Sequence, residues 1–172
     1  IYECLGRWED STKRENRVFM NNGNLTFSDK SKESGLNDNT YSTMANFFDY
    51  DNDGDLDMYL TTHPTDFADK FRTKAFQKIE QHKNNSNHFY VNNGNGTYTE
   101  KHAAVGIDNH GYSLSATVGD LNGDGFLDVY VANDFAMYDF VYMNDGHGKF
   151  IDQSLKAISK SSINAMGSDI AD

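Results

Sequence analysis

The sequence predicts an all-β protein made of β-propeller blades, each with four antiparallel strands. Three observations lead there. A nine-residue acidic loop occurs twice, each copy leading into an apolar run rich in β-branched or aromatic residues. An Asn- and Gly-rich hairpin segment flanked by aromatic residues occurs three times. The two kinds of segment keep a common register. Each unit therefore reads strand, acidic loop, strand, connection, strand, hairpin, strand, over ~50–70 residues.

The hairpins set the register. Phe19-Met20-Asn21-Asn22-Gly23-Asn24-Leu25-Thr26-Phe27 recurs as Tyr90-Val91-Asn92-Asn93-Gly94-Asn95-Gly96-Thr97-Tyr98, 71 residues on. It recurs again, 52 residues further, as Tyr142-Met143-Asn144-Asp145-Gly146-His147-Gly148-Lys149-Phe150. Asn and Gly reach positive φ cheaply, as tight hairpin turns require. The aromatic residues on either side suit cross-strand pairs. A shorter region follows each of the first two hairpins, and Gly35-Leu36 matches Gly106-Ile107 within them. Strands Ser42–Phe48 and Leu114–Gly119 then lead into the acidic loops.

The loops obey the same offsets: Asp49 plus 71 is Asp120, and Asp120 plus 52 is Asp172. Residues 1–48 are thus the end of one blade and the start of the next. Residues 49–119 form a repeat with the first loop, 120–171 a repeat with the second, and Asp172 the first position of a third. Ile1-Tyr2 matches Met58-Tyr59 and Val129-Tyr130, so the chain reads as an excerpt from a longer protein whose other residues complete the ring. Unit length varies in one connection. It is short at 132–140 and long at 61–88, where Phe67, Phe71, Ala75 and Ile79 fall at i+4 steps behind a possible Thr65 cap. That stretch predicts one amphipathic helix packed on its blade, or alternatively a surface contact element.

The loops themselves are Asp49-Tyr50-Asp51-Asn52-Asp53-Gly54-Asp55-Leu56-Asp57 and Asp120-Leu121-Asn122-Gly123-Asp124-Gly125-Phe126-Leu127-Asp128. Oxygen side chains at positions 1, 3, 5 and 9 with Gly at 6 suit Ca²⁺, which takes about 6–8 oxygen ligands. An EF-hand also begins this way but needs a bidentate Glu at position 12 and flanking helices. Position 12 here is Leu60 or Val131, inside a strand-like run. The closing ligand is therefore Asp57 or Asp128. The expected side-chain ligands are Asp49, Asp51, Asp53 and Asp57 in one loop, and Asp120, Asn122, Asp124 and Asp128 in the other. Position 7, Asp55 or Phe126, supplies a backbone carbonyl, which explains why its side chain varies. Two bound Ca²⁺ are expected.

Composition narrows the function. The formal net charge is −11, and the eight loop aspartates account for most of it. The acidity is local and metal-directed, and no basic stripe suggests nucleic acid. One cysteine, Cys4, excludes an internal disulfide and is expected as a small buried side chain beside a strand. No apolar run approaches the ~18–20 residues of a membrane span. The histidines, His63, His82, His88, His102, His110 and His147, show no metalloprotease spacing and are expected at the surface. No nucleophile elbow, P-loop or dinucleotide fingerprint is present.

The acidic loops paired with these hairpins resemble the FG-GAP/VCBS repeat family, over essentially the whole chain. They look most like its secreted or lipid-anchored Bacteroidota-type members and the propeller portion of the ASPIC/UnbV and cartilage-acidic-protein group. The resemblance implies an integrin-α-like propeller, usually seven-bladed, with Ca²⁺ held by the loop residues named above. It implies an extracellular or cell-envelope location. The literal Phe-Gly and Gly-Ala-Pro signatures are absent, so an integrin-like ligand mode does not carry over. The expected function is a calcium-stabilised, non-catalytic module that binds a protein in a cell-surface assembly, or a glycan. The alternative is a polysaccharide-lyase-like carbohydrate-active enzyme. Only four arginines are present, Arg7, Arg14, Arg17 and Arg72, which disfavours an anionic-sugar site. Asp10-Ser11-Thr12 also resembles an O-glycosylation motif of exported Bacteroidota proteins.

Overall fold

Apolar and aromatic runs bounded by left-handed turn residues form eleven strands among the described residues of the computed structural model, which are 1–6, 10–63, 86–108, 110–135, 137–162 and 164–171. The first sheet is β1 (Tyr2–Glu3), β2 (Arg17–Asn21) and β3 (Phe27–Asp29). The second is the meander β4 (Ser42–Phe48), β5 (Asp57–Thr62), β6 (His88–Asn92) and β7 (Tyr98–Glu100). The third repeats it as β8 (Ser113–Gly119), β9 (Asp128–Asn133), β10 (Phe140–Asn144) and β11 (Phe150–Asp152). All pairs are antiparallel, and β4 and β8 carry a register shift at the same place, Ser42/Met44 and Ser113/Ser115. The fold is all-β and built of propeller-type blades, as the repeats predict. By register, β1 to β3 match the second, third and fourth strands of the other sheets.

The hairpins behave as their sequence requires. Gly23, Gly94 and Gly146 take φ of 79°, 71° and 69°. In each turn the preceding Asn (Asn21, Asn92 or Asn144) accepts the glycine N–H on its Oδ1 at 2.9–3.0 Å. The side chain thus closes the turn that a backbone pair would otherwise have to close.

The sheets stack face to face. Every residue of β5 is buried, because this middle strand is covered on both faces. That explains why its sequence is apolar without clean alternation. On one side Met58 and Leu60 pack with Val18, Leu36 and Tyr90, and Cys4 lies partly buried at the edge of that cluster. On the other, Tyr59 joins Phe48, Tyr50, Phe89, Ile107, Val129, Val131, Phe140, Tyr142 and Phe150. Polar locks repeat at the same junctions. The buried Asn16 donates to Ser42 Oγ at 2.8 Å, and Asn87, 71 residues on, donates to Ser113 Oγ at 3.0 Å.

Two further elements carry the repeat from sheet to sheet. After β3, helix α1 (Ser31–Ser34) ends on Gly35 in the left-handed conformation, and Leu36 inserts into the core. The equivalent turn after β7 places Gly106 against β11 and inserts Ile107. A second short helix, α2 (Ser154–Ala157), follows β11. Inner strands also lie side by side. Asn46 of β4 donates to the Ala116 carbonyl of β8 at 3.1 Å, and Thr117 donates to the Ser168 carbonyl at 3.0 Å. The second contact is the first one moved along by the repeat, so the segment around Ser168 lies on β8 much as β8 lies on β4.

One expectation needs correction. The long connection is shorter than 61–88, because Thr61 and Thr62 end β5 and His88 begins β6. Burial on both faces extends these strands beyond what a polar Thr-Thr-His sequence suggests. The helix expected over Phe67 to Ile79 lies outside the described residues, as does Asp172. Among the described residues no helix is long and apolar enough to cross a membrane.

Candidate metal loops

Each acidic loop curls around its own first carboxylate. Asp49 accepts the backbone N–H of Asp53 at 3.1 Å on Oδ1 and of Gly54 at 2.9 Å on Oδ2. Asp120 accepts Gly123 and Asp124 on Oδ1 at 2.7 and 3.1 Å, and Gly125 on Oδ2 at 2.9 Å. These N–H bonds, Gly125 foremost, hold the Asp120 carboxyl below its ordinary range. The turn demands positive φ at positions 4 and 6. Gly54 and Gly125 supply the second of these at 92° and 89°, while Asn52 at 60° stands where Gly123 has 78°. Asn tolerates this region better than other side chains.

Position 9 closes the loop from inside the protein. Asp57 and Asp128 are 2% and 0% exposed at the first residue of their strands. Each bridges loop and hairpin. Asp57 accepts Tyr50 N–H at 3.3 Å and Asn92 N–H at 2.8 Å, and Asp128 accepts Leu121 N–H at 2.8 Å and Asn144 N–H at 2.7 Å. Burial pushes the Asp57 carboxyl up to about 6, with the charges of Asp51 and Asp53 adding to it. Burial likewise raises Asp128. Asp51 is raised by burial and then by Asp53.

The first loop gathers Asp49, Asp51 and Asp57, whose ligand oxygens lie within 4.8 Å of one another. Asp53 stands outside that trio and accepts Asp55 N–H at 2.8 Å. In the second loop Asn122 replaces Asp51, and it donates to Asp124 at 2.8 Å, while Asp124 accepts Phe126 N–H at 2.9 Å. Position 7 does not aim its side chain inward in either loop. A Cβ on Gly94 would lie 3.3 Å from Asp55 Oδ2, and one on Gly146 would lie 2.7 Å from the Phe126 ring. Both side chains therefore rest on the hairpin turn of their own sheet. The donor set is all oxygen, and clustered carboxylates repel one another unless a cation lies among them. That fits a hard divalent cation.

The titration of Asp57 has a testable sign. Without metal, the folded carboxyl titrates near 6 and the unfolded one near its ordinary 3.8. The folded state binds the proton more tightly. The resulting stability is full below about pH 4 and is lost as the pH rises through about 6. Asp57→Asn mimics the protonated form at every pH. In EDTA, the melting temperature of wild type relative to Asp57→Asn should therefore fall between pH 5 and pH 7.5. A difference independent of pH would contradict the assignment.

The sequence marks the hairpin asparagines as turn formers. The structure gives the first Asn of the second and third hairpins a second task. Asn92 Nδ2 donates to the Leu56 carbonyl at 3.1 Å. Asn144 Nδ2 donates to Tyr50 O at 2.7 Å and Leu127 O at 3.3 Å, so it braces both loops across the sheet junction. The signal was available, since Asn holds this position in all three copies, but turn propensity already accounted for it. Asn144→Ala leaves buried acceptors unpaired and should cost about 2–4 kcal/mol in urea unfolding, where one unsatisfied buried group costs ~1–3. A loss below about 0.5 kcal/mol, the usual surface range, would show that water replaces it.

Tyr50, at position 2 of the first loop, packs 4.9 Å from Phe89 and 6.1 Å from Phe150, centroid to centroid. It plugs the junction of the second and third sheets, whereas its counterpart Leu121 is 41% exposed. The histidines need correcting. His147 is exposed as expected, but His63 is buried against Tyr112 and Phe135, and His88 is largely covered. His102 and His110 are half-buried, and His82 lies outside the described residues. Strand ends inside a stack of sheets bury polar rings that a sequence places at the surface.

The FG-GAP-like repeat model matches residues 6–60, 81–131 and 120–172. This chain belongs to the FG-GAP-like repeat family. A comparison with curated proteins returns no match. The first two family repeats are out of phase with the sheets: 6–60 takes β2 and β3 from one sheet and β4 and β5 from the next, and 81–131 does the same from β6 to β9. Each such unit thus carries both halves of a sheet junction.

Proposed function

We propose that the chain is a calcium-stabilised, non-catalytic module of an extracellular or cell-envelope protein that binds a protein or glycan partner. The observation that carries this reading is the repeated all-oxygen loop with a buried closing carboxylate. Asp49, Asp51, Asp53 and Asp57 would hold one Ca²⁺ with the Asp55 carbonyl; Asp120, Asn122, Asp124 and Asp128 would hold another with the Phe126 carbonyl. Each ion would replace repulsion among carboxylates by shared coordination. Its position at the start of β5 or β9 ties it to the fold. A bound ion there links the inner strand, the next strand and the hairpin of one blade. Loops presented on such a rigid frame are suited to contact a partner.

Calorimetric titration of EDTA-treated protein should show two Ca²⁺ per chain, falling to one in Asp49→Ala or Asp120→Ala. Fewer than two sites in wild type would refute the ligand assignment. Incubation with a panel of anionic and neutral polysaccharides should give retention without cleavage, or no interaction where the partner is a protein. Release of unsaturated sugar ends would overturn the non-catalytic reading.

A further inference from the structure

The second sheet carries a group of metal-ligand side chains that the repeat does not call for. Tyr90 of β6 pairs with Glu100 of β7, as Phe19 pairs with Asp29 in the first sheet and Tyr142 with Asp152 in the third. His88 stands two residues before Tyr90 on β6, His102 lies in the turn two residues past the end of β7, and their rings come together across the end of that pair. In the first and third sheets this corner is Asp-x-Ser. Ser31 donates its N–H to Asp29 at 3.0 Å and its hydroxyl to the same oxygen, and Ser154 does the same to Asp152. The serine oxygen in turn accepts the N–H of Val18 or Val141, both at 2.9 Å. Those two corners are satisfied within themselves. The second sheet has Glu100-x-His102 instead, with His88 added where the register puts Arg17 and Phe140.

The geometry points to a binding site for a borderline divalent cation of the Zn²⁺ class, formed by His88, Glu100 and His102 and separate from the two oxygen loops. One ligand atom from each lies within 4.8 Å of the others. His88 Nδ1 is 3.7 Å from Glu100 Oε1, and the two imidazole centroids are 5.5 Å apart. Bonds of about 2.0–2.1 Å in a tetrahedral shell separate ligand atoms by roughly 3.3–3.4 Å, close to the first spacing. His102 Nδ1 sits 2.5 Å from Glu100 Oε1, so that pair must open slightly to admit an ion. Both side chains are partly exposed, at 24% and 35%, and have room to do so.

His88 supplies the second observation. Its side chain is 15% exposed, and both ring nitrogens are buried without a hydrogen-bond partner. Buried polar atoms are rarely left so, and an ion coordinated by one of them would remove that cost. Asp38 Oδ2 lies 3.8 Å from His88 Nδ1, but it accepts the Tyr90 hydroxyl at 2.7 Å, and Asp38 Oδ1 takes Thr40. Asp38 is thereby committed, and contributes negative charge beside the site. Two imidazoles and one carboxylate favour Zn²⁺ over Ca²⁺, which prefers oxygen alone. Bound there, the ion would clamp edge strand β7 to β6 beside the first sheet.

The test is titration of the chain with Zn²⁺ by calorimetry, in Ca²⁺ high enough to fill the oxygen loops, followed by Co²⁺ absorption. One equivalent of Zn²⁺ should bind, and Co²⁺ should give visible bands of a four- or five-coordinate site. His88→Gln should weaken Zn²⁺ at least tenfold. So should the double variant Glu100→Asp with His102→Ser, which restores the corner of the neighbouring sheets and is expected to fold. Neither should change the calcium titration. No Zn²⁺ binding, binding unchanged in the double variant, or Zn²⁺ displaced by added Ca²⁺ would each overturn the site. So would a His88 imidazolium ring, seen by NMR, that persists with Zn²⁺ present.

Discussion

Chelation with EDTA should lower the melting temperature by roughly 5–10 °C for each calcium loop emptied, and Ca²⁺ should restore it. An ion at 100 times its dissociation constant stabilises the folded state by about 2.7 kcal/mol. In a chain of 172 residues each kcal/mol moves the midpoint by roughly 2–4 °C. Mg²⁺ should restore less, because it prefers a smaller octahedral shell and loses water reluctantly. Exposed members of each acidic loop separate the metal's effect from the fold's. Asp53 and Asp124 are exposed, so Asp53→Ala and Asp124→Ala should change the EDTA-treated protein little and remove the calcium gain of one loop each. A melting curve indifferent to both EDTA and Ca²⁺ would sink the calcium reading. A gain that survives in the Asp53→Ala and Asp124→Ala double variant would mean the ion binds elsewhere.

Gly106→Ala should be the most damaging single methyl in the chain. Gly106 has φ of 90°, and a Cβ there would lie 2.2 Å from the Phe150 carbonyl oxygen of the next sheet. The neighbouring backbone cannot yield, because Phe150 N–H donates to the Val105 carbonyl at 2.7 Å. Left-handed strain of about 1–3 kcal/mol and overpacking of about 1–3 kcal/mol combine to about 2–6 kcal/mol of lost stability in urea unfolding. Gly35 is the same position one repeat earlier, with φ of 76°, but its Cβ would stand 3.0 Å from the Tyr98 carbonyl oxygen. Gly35→Ala should therefore cost less, about 1–3 kcal/mol, from the backbone strain alone. Asparagine tolerates the left-handed region, so Gly35→Asn should recover part of that loss. Gly106→Asn should not, since the clash is with Cβ. Equal costs at both glycines would show that the junction with β11 can move apart.

The repeats made much of this legible in advance. Inner strand Ser42–Phe48 was readable to the residue, because an acidic loop and a polar turn bound it on either side. The hairpins were readable because positive φ at their glycines has few chemical solutions. Strand ends at Thr61-Thr62 and His88 were not, since their burial comes from sheets stacked on both faces. The double task of Asn144 was hidden for a related reason. One of its acceptors, Tyr50 O, lies 94 residues away.

The sequence by itself determined the local chemistry: nine-position oxygen loops, Asn-Gly hairpins, and the 71- and 52-residue register that repeats them. These depend on spacing along one chain segment, and spacing is what a sequence records. Only the tertiary structure decided which groups meet across sheets. It buried the closing carboxylates Asp57 and Asp128, pressed Gly106 onto β11, and brought His88, Glu100 and His102 together. Those outcomes depend on packing between repeats, where a side chain's surroundings are set by residues far away in sequence.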